Sequence, residues 1–281
     1  MDLLKVEYRD PDAPLKFAKS LHQIGFAVLV DPPIPPQLVA ETYAEWQRFF
    51  NSEQKYDYRF DPQRQSGYFP FQTEQAKDYS CPDLKEFFHL YRWTELPAGI
   101  SDRSWQLFNC LVELAEVLLH WVEQALPPDR RSQLTMPLST MIAGSQESLL
   151  RLIHYPPLQK TELASSIRAA AHEDVNLITL LPAATAVGLE VQDNQGDWHQ
   201  VLGGPEDLIV NVGDMLQLAT GRYYRSTAHR VVNPSGDWAK QSRFSMPLFL
   251  HPRPEVILTE GITAHSYLQD RLRQIGLLEV S

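Results

Sequence analysis

Apolar and polar positions change rhythm near the middle of the chain. Leu15 to Gly25 and Pro35 to Asn51 repeat apolar residues at helical spacing, and Trp105 to Leu126 does so over a longer stretch. Phe26 to Val30, between the first two, reads as a strand. Pro62 to Phe71 sets polar and turn-forming residues before an aromatic cluster of Tyr68, Phe69 and Phe71, the composition of a loop that packs onto something. From about Ser148 the texture becomes short β-branched and aromatic runs: Leu149 to His154, Arg168 to His172, Asn176 to Leu181, Leu189 to Gln192, Trp198 to Val201, Leu208 to Val212, Met215 to Ala219, Thr227 to Val232 and Arg243 to Leu250. Turns such as Asp193-Asn194-Gln195-Gly196 and Asn233-Pro234-Ser235-Gly236 separate them. Thr263 to Ile275 returns to helix, with Tyr267, Leu268, Leu272 and Ile275 on roughly one side. The pattern predicts a mainly β fold with flanking helices. A mixed α/β region over 1–145 would pack on a double-sheet jelly roll over 146–255, open at one end, followed by a terminal helix within 256–281.

A chain of 281 residues, 43% hydrophobic, can bury a sizeable core as one large domain or two unequal lobes. Its formal charge of −10 argues against a broad basic face, so nucleic acid is not an expected partner. Cys81 and Cys110 are too few for a disulfide framework, which points to a reducing cytoplasm. The first ten residues lack the basic cap, apolar stretch and cleavage site of a signal peptide. The longest apolar helix is interrupted by Glu113, Glu116, His120 and Glu123, so no membrane partner is expected either. Oligomeric state is not legible.

The most informative residues are His172, Glu173 and Asp174, immediately before a β-branched run, and His229 far along the chain. Of the nine histidines only His172 has a carboxylate two positions on. Residues two apart on a strand project from one face, so one strand end can supply two ligands. Two imidazoles and one carboxylate hold Fe(II) on one side and leave positions for a cosubstrate and O₂. Zinc accepts the same ligand types, although the position four after His172 is Asn176 and no zincin motif exists. The bland alternative is a hydrogen-bonded turn and an ordinary barrel histidine.

Arg243 and Ser245 follow His229 on a predicted strand, where alternation turns both to one face. A guanidinium and a hydroxyl inside a roll suit one carboxylate of a small dicarboxylate whose other end chelates the metal. Taken alone, Arg-x-Ser is commonly surface chemistry. Tyr155 could donate its hydroxyl to the same carboxylate or serve as a core tyrosine. Tyr68, Phe69, Phe71 and Tyr267 are candidates to close over the mouth and touch substrate.

These residues carry a family resemblance. Arg151 to Pro157, His172-Glu173-Asp174, Gly188-Leu189-Glu190-Val191, Asn211-Val212-Gly213-Asp214, Tyr223 to Val232 and Arg243-Phe244-Ser245 resemble the double-stranded β-helix of the 2-oxoglutarate and Fe(II)-dependent dioxygenases, in the isopenicillin N synthase-like branch. Gly25-Phe26-Ala27-Val28, Phe49-Phe50 and Glu53 to Lys55 resemble that branch's N-terminal region, so nearly the whole chain is covered. The resemblance implies that His172, Asp174 and His229 bind iron and that Arg243 and Ser245 hold the distal carboxylate of 2-oxoglutarate. O₂ would be the oxidant, succinate and CO₂ would be released, and an unidentified small organic molecule would undergo hydroxylation, desaturation or ring closure. Two departures stand out: a longer stretch from His229 to Arg243, and Ile153 where many members carry asparagine. A minority of the branch works without 2-oxoglutarate, with these residues binding a substrate carboxylate instead. A noncatalytic jelly-roll sensor of a small acid and a metal-dependent hydrolase are the competing classes.

Overall fold

The computed structural model describes residues 5–74, 81–159 and 166–274. Along the chain run β1 (Lys5–Glu7), α1 (Ala13–Ile24), β2 (Phe26–Val30), α2 (Pro36–Phe50), β3 (Gly67–Phe69), β4 (Glu86–Leu90), α3 (Arg103–Gln124), and two short helices, α4 (Pro128–Arg131) and α5 (Leu138–Ile142). The second half continues with β5 (Leu149–Tyr155), β6 (Ala169–His172), β7 (Ile178–Pro182), β8 (Leu189–Gln192), β9 (Trp198–Gln200), β10 (Leu208–Val212), α6 (Asp214–Ala219), β11 (His229–Val231), β12 (Arg243–Ser245) and β13 (Leu248–Leu250). A small hairpin, β14 (Ile257–Thr259) and β15 (Ile262–Thr263), leads into α7 (Ala264–Gln274). Ile275, placed by the sequence pattern on the apolar side of that helix, and residues 1–4 lie outside the described residues.

Among the described residues nine strands form the larger sheet, in the order β1-β2-β10-β7-β13-β5-β4-β3 with β12 also paired to β5. A second sheet, β6-β11-β8-β9, faces it. Together they make the jelly roll. Phe26, Val28, Phe87, Ile153 and Tyr155 of the large sheet enclose one apolar cluster with Ala169, Leu189, Val191 and Val231 of the small one. The other face of the large sheet is covered by helices. α3 buries Leu107, Phe108, Leu111, Leu114, Leu118 and Val122 at intervals of three and four, which is why it lies along the sheet with its glutamates outward. Each such side chain contributes roughly 1.5–3 kcal/mol on burial. Among the described residues no helix is long and apolar enough to cross a membrane.

Three local expectations change. Gly67–Phe69, expected as loop, is a strand paired with β4, and β4 itself carries no alternation because all five of its residues are buried. Met215–Ala219, expected as strand, is the body of α6: after Gly213 the chain leaves the sheet, and Met-Leu-Gln-Leu-Ala is a run of good helix formers. The run Arg243 to Leu250 keeps one register against β5, Ser245 opposite Ile153 and Leu248 opposite Leu150, but is interrupted at Pro247, which has no N–H to donate. The long stretch before Arg243 folds a short 3₁₀ turn, Gly236–Lys240, into the connection.

Candidate metal centre

β6 ends at His172, and antiparallel pairing sets His229 of β11 directly opposite it. Asp174 is not on the strand: it lies two residues past the strand end, in the loop to β7. Strand alternation therefore does not aim it, contrary to the expectation from spacing. The turn from β10 into α6 does. Asp214 N–H donates to the Asp174 carbonyl at 2.7 Å, Met215 N–H to Asn176 at 3.0 Å, and Gly213 N–H to Leu177 at 2.9 Å. Gly213 has an ordinary φ of −104° but touches the Asn176 backbone so closely that a Cβ would collide with its carbonyl oxygen. Gly213→Ala is expected to destabilise the fold by about 1–3 kcal/mol through overpacking. A lower urea midpoint together with weaker metal binding would register it; unchanged values for both would contradict the clamp.

The three side chains converge. Asp174 Oδ1 lies 3.8 Å from His172 Nε2 and 3.6 Å from His229 Nε2, and the three donor atoms are all within 4.8 Å of one another. Second contacts orient each donor. His172 Nδ1 is 2.8 Å from the Ala170 carbonyl and His229 Nδ1 is 3.1 Å from that of Thr227. A carbonyl only accepts, so both Nδ1 atoms carry hydrogen and both Nε2 lone pairs face the gap. Asp174 Oδ2 accepts from Thr179 Oγ1 at 2.5 Å and Asn211 Nδ2 at 2.7 Å, leaving Oδ1 for the centre. The sequence alone does not mark Thr179 or Asn211, the latter being visible only as part of Asn-Val-Gly-Asp.

Charge states suit cation binding. Burial raises the cost of ionising Asp174, but His229, His172, Thr179 and Asn211 outweigh it and hold the carboxyl below its usual range. Although 41% of the His172 side chain remains accessible at the mouth, its pKa is lowered to about 4, first by desolvation and then by repulsion from His229. Buried His251 is lowered to about 4 chiefly by desolvation. The unfolded chain takes up these protons near 6.5, whereas the folded chain does so only near 4. Stability of the metal-free protein should therefore fall as pH drops from about 6.5 toward 4. Imidazole NMR should show His172 still neutral at pH 6; titration there near 6.5 would refute the assignment.

Deeper in the roll, Arg243 and Ser245 of β12 share the inner face, and both are buried. Arg243, 2% exposed, donates from Nε to the Ala186 carbonyl at 3.0 Å and stacks its guanidinium 5.0 Å from the centre of the Tyr155 ring, its cross-strand partner. Among the described residues its buried Nη1 has no hydrogen-bond partner. A buried cationic donor left open costs stability unless an anion completes it, so the open Nη1 of Arg243 suits a carboxylate.

The four aromatic candidates are not gathered at one place. Phe69 packs against the inner cluster, stacked on Phe87 at 4.4 Å. Tyr68, its neighbour on β3, turns to the opposite face, fully buried with its hydroxyl on Glu86, and so does not reach the inside of the roll. Phe71 is half-buried in the turn after β3. Tyr267 donates to Asp214 Oδ2 at 2.9 Å, which ties α7 to the turn that grips Asp174. Glu173 is exposed beside the cluster.

This combination of a facial two-histidine, one-carboxylate cluster at the mouth of a jelly roll and an open buried arginine inside it defines a class, and comparison with known proteins agrees. The sequence profile of the 2OG-Fe(II) oxygenase superfamily matches residues 146–252, and that of the non-haem dioxygenase in morphine synthesis N-terminal region matches residues 7–108. A crystal structure from Shewanella oneidensis assigned as an oxygenase is 43% identical and covers 99% of this chain and 100% of its own, with a TM-score of 0.90. One from Caulobacter crescentus, assigned to the 2OG-Fe(II) oxygenase family, is 30% identical over 97% of this chain and 99% of its own, with a TM-score of 0.82. A 2-oxoglutarate-Fe(II) type oxidoreductase of Aspergillus fumigatus is 28% identical over 83% of this chain and 74% of its length. The chain belongs to the 2OG-Fe(II) oxygenase superfamily, in its isopenicillin N synthase-like branch, and is an Fe(II)- and 2-oxoglutarate-dependent oxygenase.

Proposed function

We propose that His172, Asp174 and His229 are the three protein ligands to Fe(II), that Arg243, Ser245 and Tyr155 receive the distal carboxylate of 2-oxoglutarate, and that the enzyme oxidises a small organic molecule by hydroxylation, desaturation or ring closure. The observation that carries this is the convergence of two oriented Nε2 lone pairs and one free carboxylate oxygen within 4.8 Å, in the same roll as an open buried guanidinium. When bound, iron with 2-oxoglutarate and O₂ supplies the oxidising power, with succinate and CO₂ as coproducts.

The protein's own part is placement and exclusion. Nδ1–H bonds from both histidines to carbonyl groups stop the rings from turning their lone pairs away. Thr179 and Asn211 hold Asp174 by one oxygen, so a single oxygen faces the cation. Ile153, Phe87 and Val231 give the interior of the roll apolar surface, and Arg243 is buried, which strengthens its interaction with an anion and keeps bulk water from it. No general base is required among these residues. Of the four aromatic candidates Phe69 is the half-buried one packed against the inner cluster of the roll, which suits a substrate with an apolar or aromatic face. We further propose that the protein acts in a reducing cytoplasm on small molecules, without nucleic-acid or membrane partners.

Succinate formation from 2-oxoglutarate tests this reading. Wild-type protein with Fe(II), ascorbate and O₂ should release succinate slowly even without the substrate, and faster with it. Asp174→Ala should release none above background; equal release by both proteins would overturn the assignment.

A further inference from the structure

Behind the inner face of the large sheet lies a second polar cluster, on the side covered by helices. Glu86 of β4 is 3% exposed, yet its carboxylate accepts from Lys55 Nζ at 3.0 and 3.1 Å, from the Tyr68 hydroxyl, and from His154 Nδ1 at 2.7 Å. A carboxylate only accepts, so His154 Nδ1 carries hydrogen toward Glu86, and His154 Nε2 lies 2.9 Å from Ser242 Oγ. The chain Lys55–Glu86–His154–Ser242 thus runs from the N-terminal region across β4 and β5 to the residue just before Arg243.

We propose that Glu86, through His154 and Ser242, is a positioning residue for 2-oxoglutarate. The inference rests on the reading that Arg243 and Tyr155 hold that cosubstrate. His154 and Phe244 are cross-strand partners whose rings stack at 4.4 Å with only 4° between their planes. Their immediate neighbours, Tyr155 and Arg243, are the cross-strand pair on the inner face. Alternation makes the two pairs the front and back of one piece of sheet, so fixing the outer pair fixes where the inner pair points. Burying a charge is costly, and Glu86 and Lys55 together form a matched, fully hydrogen-bonded pair. Among the described residues no hydrogen bond joins this network to His172, Asp174 or His229, so its effect should fall on cosubstrate binding and spare the metal.

Calorimetric titration of the full-length protein tests this, first with Mn(II) and then, on the Mn(II)-loaded protein, with 2-oxoglutarate. Glu86→Gln is expected to weaken 2-oxoglutarate binding roughly 10–100-fold, the size of effect that groups orienting metal ligands from behind have, while Mn(II) affinity stays near wild type. Combining Glu86→Gln with Arg243→Met should be little worse than Arg243→Met alone, because the first acts through the second. Lys55→Arg, which keeps the cation beside Glu86, should retain near wild-type affinity. If Glu86→Gln does not fold, Ser242→Ala decides, with a several-fold loss expected and wild-type affinity overturning the inference. Loss in Arg243→Met with none in Glu86→Gln refutes the positioning role alone, and retained binding in Arg243→Met refutes the underlying cosubstrate assignment.

Discussion

Asp174→Ala is expected to abolish productive metal binding. Two imidazoles would remain, but the oxygen donor and the negative charge that offsets the cation would be gone. Removing a group that merely orients a ligand typically costs 10–100-fold in affinity, so losing the ligand itself should exceed about 100-fold. Thr179 and Asn211 would also lose their acceptor, leaving two buried donors without it. Asp174→Glu should fail as well, because the longer side chain cannot keep one oxygen on Thr179 and Asn211 and the other between the histidines. Mn(II) titration and succinate release should both fall together. Wild-type metal affinity in Asp174→Ala would remove the carboxylate from the centre.

Arg243→Met should leave the metal site intact and remove the cosubstrate. Truncating one partner of a buried, hydrogen-bonded charge pair costs about 2–5 kcal/mol, which corresponds to roughly 30-fold to several thousand-fold weaker 2-oxoglutarate binding. Methionine keeps much of the volume against Tyr155, so cavity formation is a minor contribution. Arg243→Lys should not rescue binding fully, since an ammonium has no planar fork to match a carboxylate and cannot also reproduce the Nε bond to Ala186. Unchanged affinity for 2-oxoglutarate would assign the arginine to another anion, such as a carboxylate of the substrate.

Much of this site was legible in the order of residues, and the remainder was hidden for identifiable reasons. His172, Asp174 and His229 stood out because an imidazole and a carboxylate two apart are uncommon next to a strand, and Arg243 with Ser245 because alternation sends both to one face. The way Asp174 reaches the cluster was not legible, since it depends on hydrogen bonds from Asp214 and Asn211, 37 or more residues away. β4 is not legible in the sequence because Glu86 and His89 break its apolar run, and only the fold supplies Glu86 with Lys55 and His154, 31 and 68 residues distant. Tyr68 and Phe69 looked equivalent as members of one aromatic cluster. Once the segment is a strand, their parity separates them, one to the inside of the roll and one to the core behind it. α6 is hard to read from sequence because a short apolar run bounded by turn residues fits a strand by length and period, although its residues favour helix and the Gly213 turn directs the chain out of the sheet.

A crystal structure of the protein with Mn(II) and 2-oxoglutarate bound tests the central claim most directly. One metal ion should be coordinated by His172 Nε2, Asp174 Oδ1 and His229 Nε2 together, with the distal carboxylate of 2-oxoglutarate paired to Arg243. A metal held by other side chains, or a cosubstrate whose far carboxylate lies away from Arg243, would contradict it.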